Sequence, residues 1–165
     1  MYILDKKPIE IPFTSDSPGR VNISLDLSTS DFRNFGNVDF KLDTGSDFVT
    51  VNIEDLHRLG YTDNQLKSCP IHGIATTADG KEVKLQYMTN ISIKYKEREL
   101  QQATIYFALG TQMRNLLGNN WLKYFDIEIK RKASLLTLAE TTEPPQLTDG
   151  EIPMQIYDLH GRTPK

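Results

Sequence analysis

Apolar and polar residues alternate along much of this chain. In Arg20-Val21-Asn22-Ile23-Ser24-Leu25-Asp26-Leu27 every second side chain is apolar, the two-residue period of a strand with one buried face. The same alternation predicts strands over Val38 to Leu42, Lys81 to Met88, Ile91 to Tyr95 and Ala103 to Phe107, and a closing pair over Asp126 to Lys130 and Ser134 to Leu138. Many short strands in one chain predict an all-β fold, a small closed barrel or sandwich. Helical spacing is confined to two stretches. Asn52 to Gly60 has an asparagine at the cap position, apolar residues at Ile53, Leu56 and Leu59, and a glycine stop. Asn119 to Phe125 follows a glycine, is expected to cap itself with asparagine, and sets Leu122 and Phe125 three apart. Thr77-Ala78-Asp79-Gly80 carries the Asp-Gly signal of a tight turn and predicts a projecting β-hairpin. Lys94-Tyr95-Lys96-Glu97-Arg98-Glu99 reads as a second, solvated hairpin.

At 165 residues the chain suits one domain, long enough to bury a core and too short for two full catalytic lobes. The pattern divides it into an extension over 1–19, a domain over 20–140 and a polar, proline-containing tail over 141–165. Within that tail Ile152 to Tyr157 is apolar enough to dock on a surface. A net charge of −3, with 25% charged residues of mixed sign, argues against nucleic acid or an anionic membrane as partner and leaves protein or peptide. The N-terminus mixes its apolar residues with charges and lacks the apolar run of a leader or span, so a soluble, cytoplasmic protein is expected. Cys69 is the single cysteine and forms neither an intrachain disulfide nor a thiolate metal site. His57, His72 and His160 are too widely spaced for a ligand set, so neither metal nor cofactor is expected. Trp121 and Phe125 read as core residues.

Chemistry concentrates in Phe40-Lys41-Leu42-Asp43-Thr44-Gly45-Ser46, where an apolar strand ends in a carboxylate followed by a turn of small residues. A carboxylate there is held by rigid backbone, and the glycine admits close approach of another chain segment. Thr44 has a hydroxyl to fix the loop, and Ser46 one to steer the carboxylate. By itself Asp-Thr-Gly-Ser also describes an ordinary turn. A second segment changes the weight: Met113 to Leu122 contains Leu116-Leu117-Gly118 immediately before a short helix.

The ordered set of Asp43-Thr44-Gly45, the hairpin about Asp79-Gly80, Leu116-Leu117-Gly118 and the final strand pair resembles the retropepsin-like aspartic proteases over roughly Arg20 to Glu140. That resemblance implies an acid-protease barrel with Asp43 as the one catalytic carboxylate per chain. Thr44, Gly45, Ser46 and Gly118 would support its loop, and Thr76, Thr77, Ala78, Asp79 and Gly80 would form a flap over a peptide or protein substrate. Two aspartates are needed to hydrolyse an unactivated peptide bond, so a homodimer joining two copies of Asp43 is implied, with no cofactor or metal. A non-catalytic dimerisation or peptide-binding module of the same fold is the alternative. Two features depart from the retroviral members. Asn119 stands where many of them carry an arginine that pairs with the acid two residues beyond the motif glycine, here Asp47, and the hairpin tip lacks their glycine-rich sequence.

Overall fold

The alternating segments become strands, and their pairing closes a ring. The computed structural model describes residues 7–29, 33–77, 79–141 and 156–157. In chain order these form β1 (Ile9–Pro12), β2 (Thr14–Ser15), β3 (Val21–Ser28), β4 (Phe35–Leu42), β5 (Val49–Thr50), α1 (Ile53–Arg58), α2 (Asp63–Lys67) and β6 (Ile71–Thr76). There follow β7 (Glu82–Tyr95), β8 (Arg98–Glu99), β9 (Ala103–Ala108), β10 (Leu116–Leu117), α3 (Asn119–Leu122), β11 (Phe125–Lys130), β12 (Leu135–Glu140) and β13 (Ile156–Tyr157). Strands β3, β4, β10, β5, β9 and β7 pair in that cyclic order, because the far end of β7 returns to pair with β3. The fold is therefore all-β with a closed six-strand barrel.

Burial follows the sequence period. Val21, Ile23, Leu25 and Leu27 of β3 all point inward, and the antiparallel register with β4 sets Ile23 opposite Phe40 and Leu25 opposite Val38. The two strands expected at Lys81 to Met88 and Ile91 to Tyr95 are one continuous strand, β7, with an extra residue where Met88 faces Ile105 and Ile91 faces Ala103. Asn90 takes up this bulge at φ 58°. Such a bulge bends the strand, and β7, which pairs with β9 on both sides of it, goes on to pair with β3 from Ser92 to Lys94.

The segment before Arg20 supplies β1 and β2. β1 pairs with β12, placing Ile9 against Leu138 and Ile11 against Leu136 in a three-stranded sheet with β11. Both isoleucines are buried, and each contributes on the order of 2 kcal/mol toward holding the strand. One apolar core joins this sheet to the barrel, with Trp121 and Phe125 inside it at a ring separation of 4.5 Å. α1 is capped by Asn52, whose side chain accepts from the Asp55 N–H at 2.8 Å, and Gly60 ends the turn at φ 101°. α2 lies outside the predicted elements although Thr62 and Gln65 form a full capping box. The Lys94 to Glu99 hairpin is present, with Lys96 at φ 53° and an ion pair of 3.7 Å between Lys94 and Glu99. Of the tail, Thr141 and Ile156–Tyr157 lie among the described residues, and Ile156–Tyr157 pairs in parallel with β6. No helix among the described residues is long and apolar enough to cross a membrane.

Candidate active site

β4 delivers Asp43 to the point where three segments meet. β10 lies between β4 and β5, parallel to the first and antiparallel to the second. The Asp43 N–H, one residue past the end of β4, donates to the Leu117 carbonyl at 3.0 Å and so continues the β4–β10 ladder into the loop. The loop then turns back on itself. Ser46 N–H donates to the Asp43 carbonyl at 3.1 Å, and Gly45 N–H donates to the Asp43 carboxylate oxygen Oδ1 at 2.9 Å. Asp43 is only 8% exposed, whereas Thr44 and Gly45 at the loop apex are exposed.

The start of α3 fastens the loop from behind. Asn119 N–H donates to the Ser46 carbonyl at 2.9 Å and Asn120 N–H to the Asp47 carbonyl at 3.0 Å. These are the orphan donors of a helix N-terminus, used on loop carbonyls. The expected asparagine cap is not what forms: Gly118 occupies the cap position with no side-chain cap bond, and the helix is only four residues long. The asparagine side chains are used across the fold instead. Asn119 Nδ2 donates to the Thr44 carbonyl at 2.7 Å. Asn120 Oδ1 accepts from the Val49 N–H at 2.8 Å while its Nδ2 donates to the Thr104 carbonyl at 2.9 Å, tying β5 to β9 through a buried side chain. Where an arginine would pair with the acid, this chain has amide-to-backbone bonds. Asp47 itself is half-buried, and burial pushes its carboxyl above the ordinary value.

Gly118 has a steric reason. A Cβ on it would lie 2.2 Å from the Phe48 carbonyl oxygen and 2.7 Å from the Phe48 nitrogen, inside any tolerable contact. The two backbones approach this closely because Phe48 is anchored. Its ring is fully buried, 4.0 Å from that of Tyr106 and 5.2 Å from that of His72. The Ser46 hydroxyl donates to its carbonyl at 3.0 Å. Of the two hydroxyls singled out in the sequence, then, that of Ser46 engages the Phe48 backbone. That of Thr44 has no hydrogen bond among the described residues, and the loop is held through the Thr44 carbonyl.

β6 and β7 form the projecting hairpin. At its tip the Thr77 N–H donates to the Lys81 carbonyl at 2.8 Å and the Gly80 N–H to the Thr77 carbonyl at 2.9 Å, with Gly80 at φ 84°. The positive φ is what a glycine at the turn's end provides. The Thr77 hydroxyl bonds to the Asp79 carboxylate and, with the Lys81 N–H, holds that carboxyl below its ordinary value. Thr76, Thr77, Asp79 and Gly80 thus sit together at the hairpin end, and Ala78 lies outside the described residues. The hairpin reaches the Asp43 loop through packing. Ala75, Val83 and Leu85 share a small apolar cluster with Phe48, Tyr106, Ala108 and Met113. Asp43, Thr44, Gly45, Ser46 and Gly118 form one connected loop assembly, and the Phe48 side chain joins it to the hairpin through the cluster that holds Ala75, Val83 and Leu85.

A family model described as a gag-polyprotein putative aspartyl protease matches residues 33–124, more than half of the chain. The chain belongs to this family. The matched stretch contains the Asp43 loop, the β6–β7 hairpin and Leu116-Leu117-Gly118 together. Among solved structures it is similar to a retropepsin-like aspartic protease from Rickettsia conorii, at 21% identity and a TM-score of 0.54, covering 86% of this chain and 100% of that one. No curated protein matches it. At that identity the structural likeness establishes the fold, which is retropepsin-like, and not the reaction.

Proposed function

We propose that this chain is one half of an aspartic endopeptidase, with Asp43 as its catalytic carboxylate and a second copy of the chain supplying the other. The observation that carries the reading is the state of Asp43: a carboxylate 8% exposed, fixed to its own loop backbone, beneath an exposed Thr44-Gly45 apex. In this mechanism the two carboxylates share a proton. One takes a proton from water as the water attacks the scissile carbonyl, and the other donates to the carbonyl oxygen. Repulsion between close carboxylates separates the two ionisation steps, so activity belongs to a pH window in which the dyad holds one proton and declines once both ionise. Peptide or protein is the substrate class, Thr76 to Gly80 the flap that covers it, and the exposed loop apex the meeting point of the two chains.

Purified chain incubated with a peptide library, with and without pepstatin, tests hydrolysis. Asp43→Asn is expected to abolish it while leaving the circular dichroism unchanged, since the amide keeps the size but does not share the proton. Excess Asp43→Asn chain exchanged into wild-type dimers should suppress the remaining activity. Wild-type turnover that persisted undiminished after exchange, confirmed by mass spectrometry, would refute the shared site. A folded dimer with no turnover on any peptide would instead favour the binding-module alternative.

A further inference from the structure

The outer edge of the hairpin is already occupied. β6 pairs with β7 on one side, and on the other it pairs in parallel with β13, Ile156 aligned with Ile74 and Tyr157 with Ala75. The Thr77 N–H points to the β7 side, where it donates to the carbonyl of Lys81, the residue before β7. Backbone groups alternate sides along a strand, so the amides of Ile74 and Thr76 face β13. Without β13 this would be an open sheet edge, flanked by the exposed side chains of Ile71 and Ile74. The tail sequence independently suits the place. Ile152, Met154 and Ile156 repeat at the two-residue period of a strand within an otherwise polar segment. The chain between Thr141 and Ile156 spans up to on the order of 50 Å when extended.

We propose that the C-terminal segment around Ile156–Tyr157 is an intramolecular strap, an added strand that docks on β6 and restrains the hairpin bearing Thr76 to Gly80. A strand paired along β6 must detach or travel with the hairpin whenever the hairpin moves, so the strap biases the hairpin toward one position. On the protease reading, on which this regulatory part rests, the strap holds back substrate entry, and its release raises turnover.

Hydrogen exchange on the full-length chain tests the pairing without reference to activity. Tyr157→Pro removes a backbone N–H from the docked segment and should speed exchange of the Ile74 and Thr76 amides at least tenfold, with Ala75, bonded toward β7, much less affected. A chain ending at Pro145 should show the same pattern, and a synthetic peptide of residues 150–165 should restore protection to it. Initial rates on a fluorogenic peptide should rise for both variants. Equal exchange at Ile74 and Thr76 in wild type and both variants would overturn the strap, whatever the hydrolysis assay reads. Protection lost on dilution in step with dimer dissociation would assign the strand to the partner's tail and overturn the intramolecular form. Faster exchange in the variants without hydrolysis by any of them would leave the strap standing and remove the protease reading.

Discussion

Gly118→Ala is the most demanding test of how the Asp43 loop is held. The added Cβ would lie 2.2, 2.5 and 2.7 Å from the Phe48 oxygen, carbonyl carbon and nitrogen. Ordinary contact needs about 3.4 Å or more, so the Phe48 peptide or the Gly118 segment must move by roughly 1 Å. Neither is free to do so. Phe48 is fully buried, and the next residue, Val49, donates to Asn120 and pairs with β9. On the other side Asp43 N–H and the Leu117 carbonyl fix the approach to Gly118 at 3.0 Å. Forced overpacking costs about 1–3 kcal/mol, and a buried hydrogen bond broken by the shift about 1–3 kcal/mol more, so a loss of roughly 2–6 kcal/mol is expected. Urea unfolding, followed by fluorescence of the single, fully buried Trp121, reads this directly at fixed protein concentration. With a slope of about 2 kcal/mol per molar, the midpoint should fall by roughly 1–3 M. Gly80→Ala is the control. Gly80 has open space around its Cβ position and only a positive φ of 84°, so its cost should stay near about 1 kcal/mol. If Gly118→Ala destabilised no more than Gly80→Ala, the close approach to Phe48 would not be what demands glycine at 118.

Three further outcomes follow from the same loop. Asn120→Ala should lose about 2–4 kcal/mol in the same denaturation assay, because it strands the buried Val49 N–H and the Thr104 carbonyl together; a loss under about 0.5 kcal/mol would mean neither bond matters. Asn119→Ala removes an exposed bond to the Thr44 carbonyl, so stability should fall by only about 0.5–1.5 kcal/mol while amide exchange across 43–46 accelerates; unchanged exchange there would deny Asn119 a part in holding the loop. Burial raises the Asp47 carboxyl above 3.8, so between that value and its folded pKa the native state binds more protons than the unfolded chain, and stability falls as pH rises through this window. Asp47→Asn should therefore be more stable than wild type at pH 7, with the difference closing below pH 3.8; a difference independent of pH would show that ionisation is not its cause.

The strands were legible in the sequence because a half-buried strand writes its face into every second residue. Val21 to Leu27 and the closing pair of strands show it without help from neighbours. The carboxylate at a strand end, the hairpin turn at Asp79-Gly80 and Leu116-Leu117-Gly118 were legible for a related reason, since each depends on residue types that few others can replace locally. β1 was not, because Ile9 and Ile11 make only two periods before Pro12, too little signal until β12 provides the partner. α2 did carry a signal, the Thr62 to Gln65 capping box, in a segment too short for apolar periodicity to stand out.

What the sequence determined by itself is therefore local: which segments extend, where they turn, and which carboxylate stands at the end of a strand. What those residues touch was decided by the tertiary structure. Asn119 and Asn120 read as helix caps, yet one bonds the Thr44 carbonyl and the other bridges Val49 and Thr104, partners far away in the chain. The requirement for glycine at 118 is likewise set by the Phe48 backbone arriving from the segment before β5, and the place where Ile156–Tyr157 of the apolar Ile152 to Tyr157 stretch docks is set by the β6 edge. A capping preference is weak, on the order of 1 kcal/mol, whereas leaving buried β5 and β9 backbone groups unpaired costs more, so the fold overrides the local preference at that point.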